Sequence, residues 1–262
     1  MNMKASTFNI ALLIDGDNAQ ATLIEDIISE VSKYGKATIR RIYGDWTTPY
    51  MNSWKPIVNH HSISPIQKFT YTTGKNSTDG SLIIDAMDIL HNKSVDGFCI
   101  VSSDSDYTGL AKRIREEGMF VMGVGRKTTP IAFINSCEIF TFTENLQESE
   151  EKENKSTSVK VAEPEERSEE KNTPRKKEHN GKESFPKINP KLIDKAFDIA
   201  TSEEEEESNI AQIGSALRKL DPSFDPRTYG YKNLTHLFQK LDKYQLIKNV
   251  VNGVNHPLVR LK

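Results

Sequence analysis

The chain has 262 residues, a formal net charge of −2 and 27% charged residues. This length exceeds that of one average domain, so we expect two domains. The small net charge excludes a global electrostatic attraction to nucleic acid, and any such binding must come from local basic patches. Two cysteines, with no leader-like or membrane-spanning apolar run, favour a reducing cytoplasm and predict no membrane association.

Composition divides the sequence into three parts. A stretch at 147–187 consists almost entirely of Glu, Lys, Ser, Asn and Pro, with too little apolar surface to offset the entropy of ordering it. We therefore predict a first domain at 8–146, a disordered charged linker at 147–187 and a second domain at 188–262. A flexible tether of this length would not fix the orientation of the two domains.

The first domain alternates strand-like and helix-like segments. "NIALLID" is a continuous apolar run typical of a strand buried on both faces, and a helix with apolar residues at helical spacing follows "GDN". We predict four further strands, "ATIRRIYG", "SISPIQKFTY", "GFCIVSS" and "MFVMGVG". We predict two further helices, "DGSLIIDAMDILHN" and "TGLAKRIREEG". This alternation predicts an α/β fold with a mostly parallel sheet and helices on both faces.

Acidic residues occur where such a sheet places its ligand site. Asp15 ends the first strand, and Asp104 and Asp106 follow the fourth, at the carboxyl ends where α/β sheets bind ligands. Asp79 lies at a predicted helix start, where a simple N-cap is an alternative. Asp85 lies among apolar residues of that helix, so it must pair with a base, bind a metal or face a cleft.

Several converging carboxylates suit hard divalent cations such as Mg²⁺ or Mn²⁺, which activate water and neutralise charge at a phosphodiester. Other sites fit less well, because no glycine-rich nucleotide loop follows the first strand. "DGD" imitates the Asp-x-Asp of haloacid-dehalogenase-like phosphatases, but the Thr that normally follows is missing. His60 and His61 are adjacent, and adjacent side chains do not share a face of a strand or meet on a helix, so we expect their side chains not to converge and not to be metal ligands. Cys99 and Cys137 lack zinc-site spacing.

Three segments together carry a family resemblance. "LLIDGDN", "KNSTDGSLIIDAMDIL" and "CIVSSDSDYTGLAKRIREEGMFVMGVG" resemble the NYN domain, in the LabA-like branch of the PIN-like ribonucleases, over roughly residues 8–146. The resemblance implies a PIN-like fold and a Mg²⁺- or Mn²⁺-dependent ribonuclease. It implies catalytic roles for Asp15, Asn18, Asp79, Asp104 and Asp106. It implies metal ligation by Asp15, Asp79, Asp85, Asp104 and Asp106.

The C-terminal part has a winged helix-turn-helix pattern. Three helix-like segments precede "VVNGVNHPLVRLK", in which Asn252 and Gly253 form a favoured hairpin turn pair. "IGSALRKLDPSFDPRTYGYKNLTHLFQKL" is similar to the OST-HTH/LOTUS domain, which implies RNA binding or docking of a protein partner. Candidate RNA-binding residues are the basic Arg218, Lys219, Arg227, Lys232, Lys240 and Lys243, with Tyr229 and Tyr231 as candidates for base stacking.

The sequence thus predicts a cytoplasmic metal-dependent endoribonuclease with a C-terminal module that captures RNA. Two alternatives stay open. In the first, the chain is a non-catalytic RNA-binding regulator or adaptor whose acids hold a structural metal. In the second, it is a phosphatase that shares the strand-end acids.

Overall fold

The structure is a computed structural model that describes residues 8–69, 77–146, 185–201, 206–251 and 254–262. The predicted linker lies outside the described residues except for its last three positions. The end of the predicted third strand and the Asn252–Gly253 turn pair also lie outside them. None of the described helices is long and apolar enough to cross a bilayer.

A six-stranded sheet organises the first domain. Its strands are β1 (Asn9–Asp15), β2 (Lys36–Gly44), β3 (Ser64–Gln67), β4 (Gly97–Val101), β5 (Phe120–Gly125) and β6 (Ile139–Phe142). They lie in the order β3-β2-β1-β4-β5-β6, and every pairing is parallel. The predicted α/β fold with a parallel sheet is confirmed.

Helices cover both faces of this sheet. They are α1 (Ile24–Ser32), α2 (Lys55–His60), α3 (Ser77–Asn92), α4 (Thr108–Glu116) and α5 (Ile131–Ile134). Apolar side chains of α1 and α2 pack on one face, and those of α3, α4 and α5 pack on the other. Each face therefore has its own hydrophobic core.

Alternation along β1 explains why the "NIALLID" run is apolar throughout. Ile10, Leu12 and Ile14 join the core beneath α1, whereas Ala11 and Leu13 join the core beneath α3, and all five are fully buried. Side chains of a strand alternate between the two faces, so Asp15 follows Leu13 toward the α3 side. This places its carboxylate where a residue of α3 can approach it.

Some elements differ from the sequence prediction. The predicted third strand spans ten residues, but β3 has only four, Ser64–Gln67. The sequence prediction also missed α2, α5 and the edge strand β6, because short segments carry too little periodicity to identify.

The C-terminal domain has three helices and a small antiparallel sheet. Its elements are α6 (Pro190–Ala200), α7 (Ile210–Leu220), α8 (Leu234–Lys240), β7 (Glu207–Asn209), β8 (Tyr244–Ile247), β9 (Val250–Val251), β10 (Val254–Asn255) and β11 (Leu258–Leu261). Strands β7, β11 and β8 form one sheet, and β9 pairs with β10 in the predicted hairpin. Phe197, Leu217 and Phe238 lie in its core. The predicted winged-helix architecture is confirmed.

The two domains contact each other directly. The Arg227 guanidinium of the C-terminal domain pairs with the Glu30 carboxylate of α1, at 3.1 Å between Nη2 and Oε1. The expectation that the tether leaves the orientation of the two domains unfixed stays a prediction.

Candidate active site

The strand order changes direction between β1 and β4. From β1 the chain first adds β2 and β3 on one side, and then crosses to add β4, β5 and β6 on the other. The loops after β1 and β4 separate at this switch point and leave a crevice at the carboxyl edge of the sheet. Asp15 lies at the end of β1, and Asp104 and Asp106 lie in the segment after β4.

Asp15 is buried and held by three donors. Its side chain is 1% exposed, and Oδ2 accepts hydrogen bonds from Asn18 Nδ2 at 2.7 Å and from Ser102 Oγ at 2.9 Å. The backbone N–H of Asp17 donates to Oδ1 at 3.2 Å. Burial raises the pKa of Asp15, although the hydrogen bonds from Asn18 and Ser102 act to lower it. The network fixes the carboxylate and ties the end of β1 to the start of the loop after β4.

The aspartates after β4 sit on a single helical turn. Asp104 is the N-cap of a 3₁₀ turn, Ser105–Tyr107, and its Oδ1 accepts the backbone N–H of Asp106 at 3.0 Å. Ser102 Oγ accepts the backbone N–H of Asp104 at 3.1 Å. Capping therefore explains an aspartate at position 104. It does not explain Asp106, which is exposed at the same edge of the sheet.

Asp79 reaches the same place from the first turn of α3. It is the third residue of that helix and 9% exposed, and its Oδ1 accepts the phenol O–H of Tyr107 at 2.7 Å. Burial raises the pKa of Asp79, and the charges of Asp104 and Asp106 raise it further. A simple N-cap role does not describe this residue.

Asp79, Asp104 and Asp106 form a set that we call the acid cluster. One carboxylate oxygen from each lies within 4.8 Å of the others. Three negative charges at this separation repel one another, and a divalent cation would relieve that repulsion. An all-oxygen donor set is what Mg²⁺ and Mn²⁺ prefer, so the side chains present fit the predicted ion.

Asp85 does not join the acid cluster. Its carboxylate accepts hydrogen bonds from the guanidinium of Arg41 and the phenol of Tyr43, both on β2. The alternative of pairing with a base, left open by the sequence, is the arrangement that the structure shows. Asp85 therefore ties the middle of α3 to β2.

Sequence reasoning missed three residues at this edge. Ser102 bridges Asp15 and the Asp104 backbone, and Tyr107 is fully buried against the acid cluster. Arg126, directly after β5, is exposed and lines a small cleft together with Asn18 and Ser102. Arg126 directly follows a predicted strand, and this position could have marked it as a candidate site residue, as it did for Asp15 and Asp104.

The two adjacent histidines lie closer together than expected. Their ring centroids are 4.7 Å apart, and both rings lie near Glu25. His60 is the last residue of α2 and His61 has left the helix, so the angular separation of neighbours within one element does not apply. The expectation that their side chains cannot converge is wrong, whereas metal binding there is untested.

The predicted RNA-binding residues have different surroundings. Lys219, Lys232 and Lys240 are exposed, and Lys243 Nζ pairs with Asp194 Oδ2 at 2.9 Å. The remaining four residues are partly buried. Arg218 and Arg227 lie near the first domain, while Tyr229 packs against Phe224 and Tyr231 against His236.

Comparison with known proteins identifies both domains. The NYN domain family model matches residues 9–146, more than half of the chain, and the OST-HTH/LOTUS domain model matches residues 190–255. The chain belongs to the NYN domain family, which implies a PIN-like nuclease fold, and its OST-HTH/LOTUS domain implies RNA binding. No curated protein matches the chain.

Two solved structures are similar to parts of the chain. A protein of unknown function from Vibrio parahaemolyticus is 21% identical, with 53% of this chain and 94% of that chain covered and a TM-score of 0.44. An uncharacterized protein from Nitrosomonas europaea is 26% identical, with 36% of this chain and 92% of that chain covered and a TM-score of 0.28.

Replacing Asp79 with Asn should stabilise the metal-free protein at neutral pH. A carboxyl group whose folded pKa is raised favours the folded state below its unfolded pKa and loses that contribution as pH rises through the folded pKa. We expect a melting temperature about 2–4 °C higher than wild type at pH 7, with the difference shrinking near pH 4. Thermal melts with Mn²⁺ should show stabilisation of wild type and little of Asp79→Asn. A lower melting temperature for metal-free Asp79→Asn at pH 7 would contradict the repulsion argument.

Asp85→Asn should weaken the fold without affecting cation binding. The substitution leaves the Arg41 guanidinium without its countercharge, and because both side chains are partly exposed we expect a loss of only about 1–2 kcal/mol. Denaturant unfolding and Mn²⁺ titration measure the two effects separately. Asp88→Asn is the matched control, because Asp88 is exposed on the same helix. Loss of Mn²⁺ affinity in Asp85→Asn alone would restore Asp85 as a ligand.

Proposed function

We propose that the chain is a Mg²⁺- or Mn²⁺-dependent endoribonuclease that hydrolyses RNA phosphodiester bonds. The observation that carries this proposal is the acid cluster, three carboxylates gathered at the switch point of an NYN-family sheet. The OST-HTH/LOTUS domain supports RNA as the substrate.

Asp79, Asp104 and Asp106 would hold the ion. A bound divalent cation would supply charge neutralisation at the scissile phosphate and acidify a water molecule, so no protein nucleophile is needed. The three side chains reach the site from two elements, α3 and the turn after β4. Their arrangement therefore depends on the packing of α3 against that turn.

The buried residues behind the acid cluster would keep its carboxylates in place. Burial raises the pKa of Tyr107 well above its usual range, so its phenol stays protonated and donates to Asp79 at any working pH. Asn18 and Ser102 similarly fix Asp15, whose charge adds to the negative field at the site. We propose that Asp15 completes the ligand set from this inner position, as the family resemblance implies.

Arg126 would contact the substrate. It is an exposed cation at the carboxyl edge, in the same cleft as Asn18 and Ser102. A guanidinium binds phosphate oxygens in a bidentate manner, which suits the RNA backbone. We propose that Arg126 offsets the repulsion between the acid cluster and an approaching phosphodiester.

Membership of the NYN family favours the nuclease over the phosphatase alternative. The phosphatase and the non-catalytic RNA-binding regulator are both outcomes of the test below. Both described cysteines are buried and unpaired, in keeping with the predicted cytoplasmic location.

Asp104→Asn should abolish RNA cleavage and leave the fold intact. Asn is as good an N-cap as Asp, so the hydrogen bond from the Asp106 backbone can persist while the charge is lost. We expect a loss of about 100-fold or more in Mn²⁺-dependent cleavage of a mixed RNA pool. Circular dichroism checks the fold, and Asp88→Asn is the matched control.

Full activity in Asp104→Asn would refute the proposed site. Binding of Mn²⁺ and RNA by the wild type, with no cleavage under any divalent cation, would favour the regulator instead. Hydrolysis of a small phosphomonoester without RNA cleavage would favour the phosphatase alternative.

The exposed lysines of α8 and its preceding turn should contribute to RNA affinity. Replacing both Lys232 and Lys240 with Gln should raise KM with kcat unchanged, because uniform binding is lost while the acid cluster is untouched. The log–log salt slope of binding to single-stranded RNA should fall by about 1.4, or about 0.7 per phosphate contact. Lys36→Gln, at the exposed amino end of β2, is the control. An unchanged slope would indicate that this domain docks a protein instead.

A further inference from the structure

Among the residues that the structure describes, hydrogen bonds join the C-terminal domain to the first domain at three separate points. All three use residues of the loop and turn after α7, between Asp221 and Thr228. On the first domain they use α1, the edge strand β6 and the segment after it. None of these contacts involves a residue of the acid cluster.

The first contact is an ion pair. Arg227 Nη1 and Nη2 donate to the two oxygens of Glu30 at 3.2 and 3.1 Å, a forked geometry, while Arg227 also binds Asp225. Lys33 donates to Glu30 at 2.7 Å, so the group contains two acids and two bases. Glu30 is only 5% exposed. Lys33 of the first domain and Arg227 of the C-terminal domain both supply positive charge to this buried carboxylate.

The second contact protects an open sheet edge. β6 is the last strand of the sheet, and its Phe140 N–H donates to the carbonyl oxygen of Pro222 at 2.8 Å. Unpaired edge groups invite non-specific association, and proteins commonly cover them. The loop after α7 provides such cover here.

The third contact lies beyond the end of β6. The Asn145 side chain is fully buried, and its Nδ2 donates to Thr228 Oγ1 at 2.8 Å. Tyr34, two residues beyond the end of α1, is partly buried, and the charges of Arg218, Asp225 and Arg227 act on its phenol. The contacts thus extend from the end of α1 across the edge of the sheet.

We propose that the segment 221–228 is an intramolecular docking surface that holds the OST-HTH/LOTUS domain on α1 and β6 in solution. The sequence connection makes this docking favourable even if the interface is weak. A tether of about forty residues gives an effective concentration on the order of 1 mM, so an interface with a Kd of about 0.1 mM would be about nine-tenths docked. The chain then behaves as one body with its two functional surfaces in fixed relation.

Docking also assigns a role to Arg227. It is a positioning residue that joins the domains, and its guanidinium is occupied by Glu30 and Asp225. Lys232 and Lys240 stay exposed in the docked state. If the proposed function holds, on which this consequence rests, captured RNA would approach the acid cluster from one fixed direction.

The test measures the separation of the domains in the full-length chain, without RNA or metal. Spin labels at Thr38→Cys and Lys248→Cys, both exposed, report one distance across the two domains. The native Cys99 and Cys137 are 0% and 1% exposed and should not label. Docking predicts one narrow distance distribution for the wild-type background. A broad distribution there would overturn the proposal.

Charge reversal identifies the interface. Glu30→Arg places two guanidinium groups together and should broaden the distribution, whereas adding Arg227→Glu should narrow it again. Glu116→Arg, at the exposed end of α4, is the matched control and should match wild type. A narrow distribution in Glu30→Arg would overturn the assigned interface.

Hydrogen exchange gives a second readout at a single residue. The Phe140 amide should exchange at least about tenfold faster in Glu30→Arg than in wild type, because its acceptor leaves with the C-terminal domain. The amides of β4, in the centre of the sheet, should keep their protection and so show that the fold is intact. Equal Phe140 exchange in both proteins would count against docking. Because neither readout uses RNA cleavage, docking can hold even if the proposed nuclease activity fails.

Discussion

Repulsion among Asp79, Asp104 and Asp106 is the constraint around which the first domain is arranged. Three carboxylates within 4.8 Å oppose folding when no cation is bound, so the surrounding structure must hold them together. The parallel sheet brings their elements to one edge, and buried Tyr107 and Ser102 fix the turn that carries two of them. Clusters of this kind occur at binding and catalytic sites, which is the role that we propose for this one.

Acidic residues on one helix illustrate the contrast. Asp79 and Asp85 both lie on α3 and both accept a phenol O–H, but Asp85 also meets the Arg41 guanidinium, whereas Asp79 lies beside other acids. The pairing of Asp85 stabilises the folded domain, whereas the clustering of Asp79 with other acids destabilises it. Because the pairing of Asp85 helps to hold α3 against the sheet, it also supports the position of Asp79 on the same helix.

The C-terminal domain shows how far residue counts can mislead. Six basic residues suggest a phosphate-binding surface, but Arg227 is occupied by two carboxylates and Lys243 by Asp194. Lys219, Lys232 and Lys240 are exposed, and Lys243 is exposed although it is paired. Electrostatic attraction to RNA therefore depends on a small exposed subset.

The sequence determined the fold class, both domain families and the strand-end positions of Asp15, Asp104 and Asp106, because these follow from local apolar patterns and short motifs. It did not determine which acids meet. Three features depend on how a helix packs on strands that are distant in the sequence. They are the face of the sheet on which Asp15 lies, the separation of Asp79 from Asp85 and the position of Tyr107. The partnership of Glu30 with Arg227 spans 197 positions and leaves no local pattern, so only the tertiary structure could reveal it.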